Sequence, residues 1–141
     1  MKIKDIDTIN YFAYGHNTNS KVMLDRCPEA KLIGNGVLKN FCFVLRKFAD
    51  IESHPDSECY GVLWQINRKD LKELDHDEDY HRHYNRILVD VETDSGPVKA
   101  QVYIMDPAYH PKERASNDYV RSIAHGYRDH NLPVEQIKQA L

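Results

Sequence analysis

The feature of this sequence that most constrains its fold is a set of segments in which every second side chain is apolar. The pattern runs through residues 60–66 and again through residues 87–91. A period of two is typical of strands that turn one face toward a core. Asp-Ser-Gly-Pro at 94–97 forms a turn-favouring run. Residues 98–104, which alternate in the same way, are therefore predicted to return as the second strand of a hairpin.

Two further segments, 11–14 and 37–48, are rich in β-forming side chains and predict additional strands, the second of them long and bent. Helical signals separate the strands. Asn67 suits an N-cap, and Asp70, three residues later, can complete a capping box. This arrangement predicts a short helix that reaches about Asp75.

A longer helix is predicted from the apolar face that residues 119–127 share. Asn131 suits its C′ position, and Pro133 prevents its continuation. Shorter helices are predicted at 20–26 and 134–141. Because hairpins and single helices alternate without a regular βαβ rhythm, the predicted fold class is α+β, with about five twisted strands closing into a barrel-like sheet.

Length and composition limit the classes of function that need to be considered. The 141 residues are predicted to form a single domain spanning 1–141. A net charge of −3 gives no electrostatic reason to expect nucleic acid as a partner. No apolar run approaches a membrane span, and the opening MKIKDIDTIN is too polar for a signal peptide. We therefore expect a cytoplasmic protein.

The odd number of cysteines argues against a disulfide framework. Cys27, Cys42 and Cys59 also lack the spacing of metal ligands. We expect reduced thiols in a reducing compartment. A nucleophilic cysteine with a base nearby in space remains an alternative at this point.

Tyr14, Gly15, His16 and Asn17 form the first candidate site. They lie where the first strand ends, just before a predicted helix. A glycine there lets the backbone approach a ligand closely. The N–H groups that follow and the helix dipole favour a carboxylate or a developing oxyanion. A plain strand–turn–helix connection is the alternative interpretation.

Glu78 is the second candidate. It follows the predicted short helix and stands among Asp75, Asp77 and Asp79. The negative end of the helix and the acidic neighbours should raise its pKa if the carboxyl group is also partly buried. A carboxylate tuned in this way suits a general base. A solvated acidic loop is the alternative.

The same acidic segment contains His76, His81 and His83, which raises the possibility of a metal site. The segment has no HExxH spacing, and two histidines one residue apart are a weak signal. We therefore expect no metal and no other cofactor, and a metal-dependent hydrolase stays as an alternative.

Four segments taken together resemble the γ-glutamylcyclotransferase family, including its AIG2-like relatives. Residues 11–17 read YFAYGHN and are similar to the family's YFAYGSN loop. Residues 58–64 resemble its V-x-G-V-x-W strand. Residues 74–84 resemble its L-D-x-x-E…Y segment, and residues 116–133 resemble its closing helix. The motifs stand in the same order and at the same spacing along nearly the whole chain.

The resemblance implies a small mixed β-barrel flanked by helices and a cofactor-free reaction. In that reaction, the free α-amine of a γ-glutamyl group attacks its own γ-carbonyl, 5-oxoproline forms, and an amine or amino acid leaves. By residue match, Glu78 is the catalytic acid/base and the loop from Tyr14 to Asn17 binds the substrate. Tyr84 and Tyr119 line the pocket. The implied partner is a small γ-glutamyl molecule, neither nucleic acid nor a membrane, and the oligomeric state stays open.

Four positions depart from the family pattern. His16 replaces serine, Asp79 replaces glycine, Ala115 replaces proline, and Tyr127 replaces a small residue. These changes leave the reaction class in place and the identity of the substrate open. A non-catalytic module that binds γ-glutamyl groups is the alternative function, although such a binder gains little from a buried acid at Glu78.

Overall fold

The computed structural model describes residues 8–79 and 82–141, which form five strands and four α-helices. In chain order the elements are β1 (Ile9–Ala13), a 3-10 turn (His16–Thr18), α1 (Ser20–Arg26), β2 (Lys31–Leu45), β3 (Ala49–Ile66), α2 (Arg68–Asp77), β4 (Tyr84–Thr93), β5 (Gly96–Met105), α3 (Asn117–Asp129) and α4 (Glu135–Lys138).

The five strands close into a barrel in the order β1-β3-β2-β4-β5. Neighbouring strands are antiparallel except for β1 and β5, which run parallel and close the barrel. Tyr11 in β1 lies opposite Trp64 on one side and Gln101 on the other. The predicted α+β class and the small mixed barrel flanked by helices are confirmed.

The hairpin of β2 and β3 is longer than the sequence indicated. β2 begins at Lys31 and ends at Leu45, so Phe48, predicted to be in this strand, lies in the turn before β3. The register shifts next to Asn40, which has a positive φ of 65°. The predicted bend is therefore a bulge. The first half of β3 was not predicted because residues 52–56 are exposed and lack an alternating pattern.

The prediction that residues 60–66 bury only one face was wrong. Val62, Leu63 and Trp64 are all buried, although they point to alternating faces of β3. Neighbouring elements cover both faces of this strand, as when the Gln136 side chain bonds the backbone of Tyr60 at 2.8 and 2.9 Å. A closed barrel wrapped by helices buries both sides of its central strands.

The predicted turn at 94–97 was also too long. Gly96 and Pro97 are the first residues of β5 and pair with Thr93 and Glu92. The turn is therefore only two residues long. The hairpin that it closes was correctly predicted.

The helices begin and end close to the predicted positions. α1 matches its prediction, and Asn19 caps it by accepting from two backbone N–H groups. The capping box of Asn67 and Asp70 is present, and α2 continues two residues past Asp75. After α3, Asn131 takes a φ of 55°, as expected for a C′ residue. α4 is shorter than the predicted 134–141.

None of the helices within residues 8–79 and 82–141 combines the length and the apolar character that crossing a membrane requires.

Candidate active site

The structure brings all seven predicted site residues together around one cavity of about 40 Å³, which we call the inner chamber. Three lining residues were missed from the sequence: Tyr11, Ala49 and Tyr103. The predicted residues lining it are Tyr14, Gly15, His16, Asn17, Glu78, Tyr84 and Tyr119. A volume of this size accommodates about three water-sized groups, comparable with the charged head of an amino acid.

The loop after β1 is held in place from several sides. The Trp64 indole donates to the carbonyl of Asn17 at 3.0 Å, and the Tyr127 hydroxyl donates to the carbonyl of Tyr14 at 2.6 Å. Gly126 lets α3 approach closely, since a Cβ there would lie 2.5 Å from the Thr18 hydroxyl. The backbone N–H groups at the start of the 3-10 turn have no partner inside that turn. The loop is thus held in place, and no described residue accepts a hydrogen bond from the N–H groups of His16 and Asn17.

Gly15 is required for packing against β3. A Cβ at this position would lie 2.7 Å from the Cβ of Ala49. Its φ of −117° is outside the left-handed region. The close approach is to another strand of the protein, and it brings the loop to the edge of the inner chamber.

Glu78 is the C-cap residue of α2, at the negative end of the helix. The residue is partly exposed because the chamber opens beside it, but its carboxyl group is enclosed by protein. This burial raises the pKa of Glu78 to about 7, an effect that Arg26 opposes and Asp77 reinforces. No hydrogen bond or ion pair joins this carboxyl group to any residue that the structure describes. The predicted direction of the shift is confirmed.

The main cause of that shift differs from the expected one. Asp75 bonds the Arg86 guanidinium at 2.8 Å and the Tyr103 hydroxyl at 2.5 Å. Asp79 lies 3.2 Å from His83. Asp75 and Asp79 therefore interact with other side chains. Burial of the Glu78 carboxyl group is the largest cause of its raised pKa. Asp79 also has a φ of 50°, in the region that favours glycine, which accounts for the glycine of the family pattern at this position.

Two tyrosines of the inner chamber share one backbone partner in β3. The Tyr84 hydroxyl donates to the carbonyl of Ala49 at 2.8 Å. The Tyr119 hydroxyl accepts from the N–H of Ala49 at 2.9 Å. Burial raises the pKa of both phenols, so they stay protonated at neutral pH. Ala49 therefore fixes the position of both rings, and only the fold could reveal its role.

A larger cavity of about 300 Å³, which we call the outer chamber, adjoins the inner one. Four residues line both: His16, Glu78, Tyr84 and Tyr119. The outer chamber adds charged and aromatic side chains that the sequence did not single out as a group: Arg26, Phe48, Asp77, Asp79, His83 and Tyr109. Glu78 thus stands between a small buried chamber and a wider one.

His16, the main departure from the family loop, reaches toward α3. Its Nε2 lies 2.9 Å from the Ser122 hydroxyl, and its ring centre is 5.4 Å from that of Tyr119. Burial and then the nearby Arg26 lower the pKa of His16. The imidazole is consequently neutral near pH 7 and can offer only a neutral hydrogen-bonding group.

The alternatives based on metal and thiol chemistry can now be placed in the fold. Within the described part of the chain, no three His, Cys, Asp or Glu side chains are grouped to hold a metal ion. His81, one member of the proposed histidine group, lies outside the described residues. All three cysteines are free thiols. Burial raises the pKa of Cys27 to about 12, so this thiol stays protonated near neutral pH.

Comparison with known proteins gives a consistent family. The sequence profile of the AIG2-like family matches residues 58–139. The γ-glutamylcyclotransferase of Bos taurus is 26% identical over 153 residues, covering 99% of this chain and 80% of that protein. The γ-glutamylcyclotransferase of Homo sapiens is 27% identical over 145 residues, covering 93% of this chain and 76% of that protein.

The fold leads to the same family. A solved structure described as a gamma-glutamyl cyclotransferase superposes with a TM-score of 0.81 at 28% identity, covering 94% of this chain and 86% of that one. The matched profile spans the second half of β3, the segment that contains Glu78, and the helix α3. The chain therefore belongs to the AIG2-like family.

Proposed function

We propose that this protein is a γ-glutamylcyclotransferase-type enzyme that releases 5-oxoproline and an amine or amino acid from a γ-glutamyl substrate. One observation carries the proposal: the Glu78 carboxyl group, with a pKa of about 7, lies in the same small chamber as the loop from Tyr14 to Asn17. The named relatives support the reaction class.

The first step makes the substrate amine reactive. The α-ammonium of a γ-glutamyl group is not nucleophilic until it loses a proton. Glu78 in its ionised form accepts that proton, and a pKa near 7 keeps a useful fraction of the carboxylate ionised at neutral pH. The small chamber holds the charged head of the glutamyl group beside Glu78, and the rest of the chain folds back so that the amine approaches its own γ-carbonyl carbon.

The second step closes the ring and expels the leaving group. A C–N bond forms between the α-nitrogen and the γ-carbon, and the carbonyl oxygen becomes an oxyanion. We assign the stabilisation of that charge to backbone N–H groups of the loop after β1. The original γ-amide C–N bond then breaks as Glu78 returns its proton to the departing nitrogen. The second proton of the ring nitrogen passes to the same nitrogen, so that the lactam is neutral and the leaving amine departs as an ammonium. No proton is gained or lost overall.

The direct test is to incubate the purified protein with a panel of γ-glutamyl compounds and to measure 5-oxoproline by mass spectrometry. The panel should pair the γ-glutamyl group with an amino acid, a dipeptide, a polyamine and an aminoglycoside, because the leaving group is the open part of the assignment. Formation of 5-oxoproline that Glu78→Gln abolishes supports the proposal. Binding without any turnover would instead favour the non-catalytic module.

We further propose that the protein acts in the cytoplasm. Three free thiols, two of them buried, suit a reducing compartment and support this location. Fractionation of the native protein, with detection by antibody, tests it.

A further inference from the structure

Arg26 determines how the amide of Asn17 is oriented. The Arg26 Nη1 donates to the Asn17 Oδ1 at 2.8 Å. A guanidinium has only donors, so the amide oxygen must face it. The amide nitrogen of Asn17 then faces the Tyr11 hydroxyl, to which it donates at 3.0 Å. Asn17 is almost completely buried, so solvent does not compete for these contacts.

This orientation decides whether the Tyr11 hydroxyl can donate a hydrogen bond to a ligand. Because its oxygen already accepts from Asn17, its own O–H cannot point at that amide. Burial, followed by the nearby Glu78, raises the pKa of Tyr11, so the proton is present at neutral pH. No described residue accepts it. Tyr11 lines the inner chamber, and its hydroxyl is thus a donor available to a bound molecule.

The other chamber hydroxyls divide in the same way into donors and acceptors. Tyr14 donates to the Tyr103 carbonyl at 2.7 Å, Tyr84 donates to Ala49, and Tyr103 donates to Asp75. All three hydroxyls therefore offer lone pairs to a ligand. Tyr119 accepts from Ala49 and keeps its proton, as Tyr11 does. The inner chamber therefore combines three acceptors and the Glu78 carboxylate with two donors, a set that complements an ammonium and a carboxylate.

We propose that Arg26 and Asn17 are positioning residues that hold the Tyr11 hydroxyl as a hydrogen-bond donor to the α-carboxylate of the glutamyl group. This assignment rests on the proposed function. Arg26 acts through Asn17, and Tyr11 is the residue that touches the substrate. The Asn17 side chain, which the sequence placed among the substrate-binding residues, thus acts on the substrate through Tyr11.

The test uses two probes that differ only at this group: L-5-oxoproline and its α-carboxamide. Calorimetry should show that the wild type binds the carboxylate about ten- to a hundredfold more tightly, the range of one hydrogen bond to a charged group. Tyr11→Phe should lose most of this preference. Asn17→Asp has the same shape, but its second oxygen accepts the Tyr11 proton, so it should lose the preference to a similar extent.

The double variant Tyr11→Phe/Asn17→Asp distinguishes two effects of Asn17→Asp: loss of the Tyr11 hydrogen-bond donor, and repulsion between the new carboxylate and the carboxylate of the ligand. If Asn17→Asp acts through Tyr11, it should add little once the hydroxyl is gone. An equal loss in both backgrounds would mean that the new carboxylate merely repels the ligand, and would overturn the proposal. Thermal unfolding of each variant checks that the chamber is intact.

Kinetics gives an independent measure on the substrate itself. A contact to the α-carboxylate exists before the reaction, so Tyr11→Phe should raise KM with a smaller change in kcat. A fall in kcat at constant KM would place the hydroxyl on the reacting centre and overturn the assignment. Equal or absent binding of the two probes by the wild type overturns it as well. If the wild type forms no 5-oxoproline, the proposed function is wrong. Binding of the two probes still tests whether Arg26 and Asn17 position the Tyr11 hydroxyl.

Discussion

The inner and outer chambers share Glu78 but are built in different ways. In the inner chamber, the hydroxyls of Tyr14, Tyr84 and Tyr119 bond to backbone atoms, which the barrel holds in place. The outer chamber instead has partly exposed charged side chains, such as Arg26 and Asp77, whose side chains are 29% and 30% exposed. Changing a side chain does not remove a backbone hydrogen-bond partner, whereas it can replace a charged side chain at the surface. Apart from Arg26, which orients Asn17 and so acts on the inner chamber, we expect the inner chamber to determine the reaction and the outer chamber to select the leaving group.

The largest effect is expected at the residue that both chambers share. Glu78→Gln keeps the shape of the side chain but removes proton transfer. Turnover measured by 5-oxoproline release should fall by about a hundred- to ten-thousand-fold, while binding of an unreactive analogue persists. Glu73→Gln, an exposed change in the same helix, is the matched control and should behave like the wild type. Near-normal turnover in Glu78→Gln would remove this residue from its proposed role.

The wild type and Glu78→Gln should also differ in how their free energies of unfolding depend on pH. The folded-state pKa of Glu78, about 7, lies above its usual 4.5, so the folded protein binds this proton more tightly than the unfolded chain does. The wild type should therefore lose stability relative to Glu78→Gln as pH rises from 4.5 to 7, by on the order of 2 kcal/mol. Denaturant unfolding at several pH values measures this. A constant difference in the free energy of unfolding would contradict the raised pKa.

The next largest effect is expected at the contact between the loop and β3. Gly15→Ala places a Cβ against that of Ala49 and should displace the loop, at a cost of about a hundredfold in kcat/KM. Gly15→Val should be worse. Adding Ala49→Gly removes the opposing methyl group and should restore much of the activity of Gly15→Ala. Failure of this rescue in a folded double variant would mean that glycine is needed for the approach of the ligand itself.

A smaller effect is expected at His16, where the chambers meet. The imidazole is neutral and bonds Ser122, so His16→Ser should stay within about tenfold of wild-type kcat/KM. The rise of activity with pH through about 7, which we assign to ionisation of Glu78, should remain in this variant. Loss of that rise, or loss of turnover in a folded protein, would identify His16 as a group that acts directly on the substrate.

The smallest effect is expected in the outer chamber. Asp77 reinforces the raised pKa of Glu78, so Asp77→Asn should favour the ionised carboxylate and move the rise of activity to lower pH. Because Asp77 is partly exposed and solvent screens it, the shift should be less than about one pH unit. A shift to higher pH, or a loss of activity as large as that of Glu78→Gln, would contradict the division between the chambers.

Local patterns predicted much of the fold, but they failed where burial depends on distant elements. The capping box at Asn67 and the C′ role of Asn131 depend on neighbours within a few residues and were read correctly. Residues 52–56 in the first half of β3 have no such local pattern, because their side chains lie outside the core. The burial of both faces at Leu63 and Trp64 could not be predicted either, since only barrel closure and the surrounding helices cover the second face.

The sequence by itself determined the family resemblance, the position of Glu78 at the end of a helix, and the loop from Tyr14 to Asn17. These features depend on residues that are close in the chain. Only the tertiary structure revealed that Ala49 orients two tyrosines and that Arg26 orients Asn17. The direction of a hydroxyl proton depends on which partner competes for it, and the fold brings those partners together from distant parts of the chain.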